Sequence, residues 1–177
     1  MTKQMTKMAA MIILAIGLMA GAATAQKQDD GGFAPVGIYT GVETSEGTLD
    51  RINSMVWGNS LVLTSYGENE THHLTVSFNY FTNQFNPTGG FAATGGTWSL
   101  VRYSRGEFEG TMYGEVIGGT MIVEELNGQI TKRTARLQLR VKGGTGQFKD
   151  AKDTVISLEA ATDARSKTTR GNTFGSF

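Results

Sequence analysis

The sequence predicts an all-β fold, a small closed antiparallel β-barrel of about eight strands. Apolar and polar residues alternate with a period of two along most of the chain after residue 33, as in half-buried strands. Glycine is abundant, with 24 residues against two prolines, which favours many tight turns and bends. No long stretch has the 3.6-residue period of an amphipathic helix. Closure removes aggregation-prone sheet edges, so we favour a barrel over a two-sheet sandwich, the alternative.

The first 25 residues have the organisation of a signal peptide. Lys3 and Lys7 precede an apolar run over residues 8–20, and Ala23-Thr24-Ala25 is a small-x-small cleavage site. The apolar run is too short for a lasting membrane span, so no stable span is expected once the signal is removed. We therefore expect a bacterial protein that is exported to the periplasm or outside the cell.

The remaining chain is expected to hold a flexible leader with the first strand, residues 26–45, and a single barrel domain, residues 46–177. Without Lys3 and Lys7 it has 14 basic and 16 acidic residues, a slight acidic excess that argues against a nucleic-acid partner. The chain has no cysteine, which excludes disulfides and thiolate metal sites. Its stability must come from apolar burial and hydrogen bonding.

Strands and turns follow one another as hairpins along the domain. The expected strands are residues 52–57, 60–66, 71–82, 97–103, 107–116, 121–126, 130–141, 154–161 and 168–177. Gly58-Asn59 is interpreted as the turn between the first two, and residues 83–96 as the main loop. Asn127-Gly128 is the favoured pair for a type I′ hairpin turn.

The most informative segment is the corner Val141–Ala151, which joins two alternating strands. Its three glycines allow backbone angles that a side chain forbids, so the sheet can bend sharply there. Phe148 follows the glycines and is expected to fill the inside of the bend as an apolar plug.

This Gly-Gly-Thr-Gly-x-Phe-x-x-Ala corner resembles that of the allene oxide cyclase and dirigent-protein families, and the segment 110–116 with Gly118-Gly119-Thr120 supports the resemblance. It implies a small secreted or organellar barrel around an apolar cavity that shapes a reactive small molecule. Cyclase members close an epoxide into a ring, and dirigent members steer the coupling of radicals. The chain departs from the families at Asp153, where they usually have glycine, and none of their site residues is carried over.

The candidate ligand-binding residues lie on two neighbouring strands. His72, Phe78 and Tyr80 share one face of the strand 71–82, and Trp98 shares a face with Arg102. An imidazole among apolar groups can act as a general acid or base, although a histidine at the rim of the barrel is the commoner situation. Arg102 could bind a carboxylate or an enolate inside a cavity. We favour the other orientation, with its guanidinium on the outer wall.

The sequence contains no sign of a metal site or a cofactor. His72 and His73 are the two histidines, and adjacent strand residues point to opposite faces, so they cannot hold one metal together. Phosphate-loop, dinucleotide, Gly-x-Ser-x-Gly and His-Glu-x-x-His motifs are absent.

We therefore expect an exported barrel that binds an apolar small molecule in its interior and guides cyclisation or stereoselective coupling. If it is an enzyme, a cyclase, isomerase or dirigent-like activity is expected, and the sequence leaves open whether it catalyses any reaction. The alternatives are a non-catalytic structural or adhesive module and a small outer-membrane barrel. A homo-oligomer is compatible with all of these.

Overall fold

The structure, a computed structural model, describes residues 37–85 and 89–175. The predicted signal peptide and residues 26–36 of the predicted leader lie outside the described residues. Within them no helix has the length and apolarity that a membrane span requires.

The described chain forms eight strands and one turn of 3₁₀ helix. The strands are β1 Gly37–Asp50, β2 Met55–Tyr66, β3 Glu70–Phe85, β4 Phe91–Ser104, β5 Glu107–Leu126, β6 Gln129–Gly144, β7 Val155–Asp163 and β8 Thr168–Gly175. The 3₁₀ turn, Gly146–Phe148, lies between β6 and β7. The all-β prediction and the expected total of about eight strands are confirmed, although the expected segments 107–116 and 121–126 form the single strand β5.

The eight strands form one closed, barrel-like sheet. Each strand pairs antiparallel with the next one along the chain, and β8 pairs with β1 from Gly37↔Thr173 to Val42↔Thr168. Tyr39 of β1 is fully buried at this junction, and burial raises the pKa of its phenol to about 12. A single closed sheet replaces the alternative of two packed sheets.

The antiparallel order gives the closed sheet two distinct ends. One end carries the β1–β2, β3–β4, β5–β6 and β7–β8 connections, and we call it the Glu43 end after a buried residue described below. The opposite end carries the β2–β3 and β4–β5 turns and the glycine-rich corner between β6 and β7, and we call it the corner end.

Strand β2 differs from the prediction of two strands joined by a Gly58-Asn59 turn. The chain instead turns at residues 51–54, where the Asp50 carboxylate accepts hydrogen bonds from the backbone N–H groups of Ile52 and Asn53. A hydrogen bond from the Asn53 side chain first, and then these backbone bonds, lower the pKa of Asp50. Gly58-Asn59 lies inside one strand, at a bulge in its pairing with β3, so the dipeptide bends the strand without ending it.

The corner has the predicted form. Phe148 is buried, and a Cβ on Gly144 would lie 2.6 Å from the Phe148 Cβ, so only glycine lets the plug sit this close to the wall. The Thr145 N–H donates to the Thr111 carbonyl at 2.7 Å, which ties the corner to β5. The apolar plug inferred from the sequence is therefore confirmed.

Side chains fill the middle of the closed sheet. Leu63, Val76, Phe78 and Leu100 have 0 % exposed surface. A void large enough to hold water would expose the side chains that line it, so this central region contains no room for a guest molecule. A ligand-sized cavity in the middle of the barrel, as expected from the sequence, is therefore not found among the described residues.

Candidate functional site

The five predicted ligand-binding residues all point into the closed sheet, but they lie at three different levels. Phe78 and Trp98 belong to the filled middle, where both are buried. His72 and Arg102 lie together at the corner end, and Tyr80 lies near the Glu43 end. The structure therefore divides the predicted site into two separate ends.

Trp98 lies across the inner surface of β5. Its Nε1–H donates to the Arg140 carbonyl oxygen of β6 at 3.1 Å. The indole can reach β6 because its cross-strand partner is Gly114, where a Cβ would lie 1.8 Å from that same carbonyl oxygen. Trp98 thus packs against the inner surface of β5 and β6 and is not available to line a ligand cavity.

At the corner end, Arg102 and His72 are direct cross-strand partners. Arg102 Nε lies 3.1 Å from a Glu109 oxygen, Nη1 donates to the Gln147 Oε1 at 3.1 Å, and Nη2 donates to Glu70. The expectation that Arg102 lies on the outer wall is wrong, because two carboxylates and an amide at this end compensate for its burial. Since Gln147 belongs to the corner, Arg102 ties the corner to the sheet.

His72 is buried next to this cluster. Its Nε2 lies 3.8 Å from a Glu70 oxygen. Burial first, and then the positive charge of Arg102, lower the pKa of His72, so the imidazole is neutral near neutral pH. His73 points outward, with Nδ1 3.1 Å from the Thr64 hydroxyl, and no group of metal-binding side chains occurs in the described residues.

The Glu43 end contains a second polar cluster that the sequence did not reveal. Glu43 of β1 and Arg133 of β6 form a two-point ion pair, with Nε–Oε1 and Nη2–Oε2 distances of 3.1 and 2.6 Å. Their side chains are 1 % and 6 % exposed. Burying two charges costs desolvation that their attraction rarely exceeds, so stability alone does not explain the pair.

Asn59 of β2 completes the buried part of this cluster. Its Nδ2 donates to Glu43 Oε1 at 2.9 Å, which fixes the orientation of the amide. Asn59 Oδ1 is buried and has no hydrogen-bond partner among the described residues. Native proteins rarely leave a buried acceptor unpaired, so this oxygen can accept a hydrogen bond from a water molecule or from the donor group of a ligand.

Tyr80 lies close enough to this cluster to feel the charges of Arg133 and Glu43. Burial raises the pKa of Tyr80, so its phenol is neutral and can donate a hydrogen bond. Its ring continues a series of aromatic contacts from the filled middle to the end of the sheet, with centroid distances of 6.4 Å to Phe78 and 6.3 Å to Phe91.

The surroundings of Tyr80 are apolar and adaptable. Met121 is a buried inner-face residue at the same end, and Phe91 packs partly buried against the core. Methionine side chains are flexible and polarisable, so they repack around guests of different shapes more readily than branched side chains. The Glu43 end therefore combines an adaptable apolar wall with a compact polar cluster.

Two exposed charges cover the cluster. Glu46 Oε1 lies 3.2 Å from the Arg133 Nη2 and also contacts the Lys167 Nζ. The Lys167 Nζ is 4.0 Å from a Glu43 oxygen, and the Lys167 carbonyl accepts a hydrogen bond from the Glu43 N–H at 2.9 Å. The β7–β8 turn is thereby fixed beside the cluster.

An open cavity of about 520 Å³ lies at the Glu43 end as well, beside the β7–β8 turn and against strands β5 to β8. It is lined by Glu124, Thr131, Lys132, Ala161, Thr162, Asp163, Thr168 and Arg170. Several of these side chains already have partners: Lys132 pairs with Glu124 at 2.9 Å, and Asp163 caps the β7–β8 turn. The cavity holds none of the predicted ligand-binding residues.

Comparison of the chain with protein-family models, curated proteins and solved structures found no match. The likeness to allene oxide cyclase and dirigent proteins thus rests on the corner motif and its supporting segment.

Sequence reasoning missed Glu43, Asn59 and Arg133 for different reasons. Arg133 has the parity of Ala135 and Leu137, both inward, so alternation alone could have placed it inside. Glu43 lies in the segment 26–45, for which the sequence predicts only a leader and a first strand. Asn59 lies in the predicted Gly58-Asn59 turn, which does not form.

Proposed function

We propose that this is an exported protein that binds an apolar small molecule at the Glu43 end of its closed sheet. The observation that supports this best is the neutral phenol of Tyr80 beside the buried Glu43–Arg133 pair and an adaptable apolar wall. Ligand sites typically combine mostly apolar linings with a few fixed polar groups. The filled middle keeps the ligand at the end of the sheet.

The polar groups define the chemistry that this end can perform. The Tyr80 hydroxyl and the Arg133 guanidinium are donors suited to an oxygen atom that gains negative charge. Glu43 accepts hydrogen bonds from the Asn59 amide and from the Nε and Nη2 of Arg133, so its role is to orient those donors. Such a site holds a reactive molecule in one conformation, which suits the cyclisation or stereoselective coupling that the family resemblance implies.

The first test is binding of Nile red, a neutral solvent-sensitive dye, to the purified mature protein. Stoichiometric binding with a blue-shifted emission, reversed by apolar competitors, is the expected result. Tyr80→Ala should weaken binding by about tenfold, because it removes both a ring contact and a donor. Tyr66→Ala is the matched control, since Tyr66 is an exposed tyrosine at the corner end. No dye binding by the folded wild-type protein, or equal losses in the two variants, would contradict the proposal.

Export is a separate part of the proposal. Expression in a bacterial host should yield a periplasmic or released product, and its intact mass should be that of a chain that begins at Gln26. A product that retains residues 1–25 in the cytoplasm would contradict export without affecting the ligand site.

A structural or adhesive module is a second candidate function. Val42 and Val62 are cross-strand partners on the outer wall, and both are exposed, as is the nearby Ile38. An exposed apolar group of this kind suits contact with another surface. Concentration-dependent self-association that Val62→Lys abolishes, without any dye binding, would favour this candidate. The outer-membrane alternative is less well supported, because the outer wall carries the Arg136–Glu159 ion pair.

A further inference from the structure

Glu46 shares a side of β1 with Glu43 because of a bulge. The pairing of β1 with β2 shifts register between Glu43 and Ser45. Residues three apart in a regular strand point to opposite faces, and the extra residue of a bulge reverses that alternation. Both carboxylates therefore reach Arg133, at 2.6 Å from Glu43 and 3.2 Å from Glu46.

The two carboxylates are held very differently. Glu43 is 1 % exposed and accepts from Asn59 and from two nitrogens of Arg133. Glu46 is 54 % exposed, and the two cations it contacts, Arg133 and Lys167, are both shared with Glu43. An exposed ion pair contributes little to stability, so Glu46 can leave at small cost whereas Glu43 cannot.

The Arg133 guanidinium and the backbone of Lys167 would stay in place if Glu46 left. Arg133 is fixed by its two-point contact with Glu43. Lys167 has a left-handed backbone, with φ of 62°, and its N–H donates to the Asp163 carbonyl while its own carbonyl accepts from Glu43. The four side chains Glu43, Glu46, Arg133 and Lys167 together are neutral, and without the Glu46 carboxylate they carry one net positive charge.

We propose that Glu46 is an internal occupant of an anion site formed by Arg133 and Lys167, and that a small organic carboxylate replaces it. The ligand carboxylate takes the position of the Glu46 carboxylate, and its apolar body lies along Tyr80 and the methionine-containing wall. The inference deepens the proposed function, on which its apolar contacts depend. It assigns Glu46 as a residue that blocks the site and sets its specificity.

The experiment compares a charged probe with a neutral one of the same shape. Binding of naphthalene carboxylate and naphthalene carboxamide is measured by isothermal titration calorimetry with wild type, Glu46→Gln and Glu124→Gln. Glu124 is the matched control because it is a half-exposed glutamate in an exposed ion pair, with Lys132. Thermal unfolding followed by circular dichroism checks that each variant is folded.

Glu46→Gln should bind the carboxylate at least about tenfold more tightly than wild type, because the probe no longer competes with a tethered carboxylate. Its affinity for the carboxamide should stay within about twofold, and Glu124→Gln should match wild type for both probes. Adding Lys167→Met to Glu46→Gln should remove the gain, and added salt should reduce it.

An unchanged carboxylate affinity in folded Glu46→Gln, or an equal gain for both probes, overturns the inference. The same gain in Glu124→Gln also overturns it, because a general change in surface charge would then be the cause. Failure of Nile red to bind wild type decides against the proposed function instead. The two failures are therefore distinguishable.

Discussion

Glu43 and Arg133 carry opposite charges at positions that water barely reaches, and each is buried only because the other is present. The carboxylate uses both oxygens and the guanidinium uses both Nε and Nη2, so neither ion loses its hydration without replacement. The two residues are 90 positions apart in the sequence, on β1 and β6. Loss of either side chain would therefore leave the other charge buried without a partner.

Glu43→Gln should lower the free energy of unfolding by about 3–5 kcal/mol, because it leaves the buried Arg133 charge without a counter-charge. Urea denaturation followed by tryptophan fluorescence measures the change. Glu159→Gln breaks the exposed pair with Arg136 and should cost less than about 1 kcal/mol.

The double variant Glu43→Leu with Arg133→Met separates the cost of an unpaired charge from that of a lost contact. It should recover most of the stability that Glu43→Gln loses, because no buried charge remains. A double variant as unstable as Glu43→Gln would show that the pair itself stabilises the fold.

His72 should make stability depend on pH below neutrality. Its pKa in the folded protein is lowered by burial and by Arg102, whereas in the unfolded chain it is close to the ordinary value of 6.5. As pH falls below 6.5 the unfolded chain takes up the proton first, so stability present above this pH is lost until the folded-state pKa is reached. Urea titrations from pH 8 to pH 5 should show a smaller loss in His72→Gln than in wild type.

His73→Gln is the control for this pH effect, because His73 lies on the outer face of the same strand. The His73→Gln variant should lose as much stability between pH 8 and pH 5 as the wild type does. If His72→Gln and wild type lose stability in parallel, other groups are responsible for the pH dependence.

At the scale of elements, β5 shows how glycine positions bend a long strand around a core. It runs for 20 residues and pairs with β4 and β6 through several register shifts. At Gly114 a Cβ would collide with the Arg140 carbonyl and lie 2.8 Å from Trp98 Nε1, whereas at Gly118 nothing lies within 4 Å. Close approach of the Arg140 carbonyl and Trp98 thus requires glycine at position 114, whereas no steric contact requires it at position 118.

Gly114→Ala should destabilise the protein by at least about 2 kcal/mol, because backbone of β6 must move and Trp98 must leave its position. Gly118→Ala, with open space around it, should change the free energy of unfolding by less than about 1 kcal/mol. Thermal unfolding of both variants, with Trp fluorescence, provides the comparison. Equal effects would show that loss of flexibility, and not the close approach, determines the cost.

Local chemistry explains which elements could be predicted. Asn127-Gly128 and the glycine corner need special backbone angles, and only a few residues supply them, so their sequences are diagnostic. Gly58-Asn59 contains the same two residue types as the Asn127-Gly128 turn, in the reverse order. The strand nevertheless continues through it, because the pairing of β2 with β1 and β3 outweighs the local preference for a turn. Contacts between distant strands place Glu43 against Arg133, and no local pattern reports them.

At the scale of the whole molecule, closure depends on β8, the shortest strand. It pairs with both β7 and β1, and it contributes the buried Thr169 and Thr173 to the inner face. Its pairing leaves no free edge in the described sheet.

A chain that ends after Lys167 should not remain a stable monomer, because the edges of β1 and β7 become available for pairing with other chains. Size-exclusion chromatography should show oligomers or aggregates, and urea unfolding should lose its cooperativity. A chain that ends at Gly175 keeps all eight strands and should behave as the full-length protein does. A monomeric, cooperatively unfolding protein without β8 would contradict this view of closure.

The solid centre also determines how the molecule can deal with solutes. Residues such as Leu63, Phe78 and Leu100 separate the two ends by contiguous side-chain packing, so within the described residues no conduit connects one end to the other. A small molecule that entered this part of the chain at either end would therefore leave by the same opening, in exchange with the surrounding fluid.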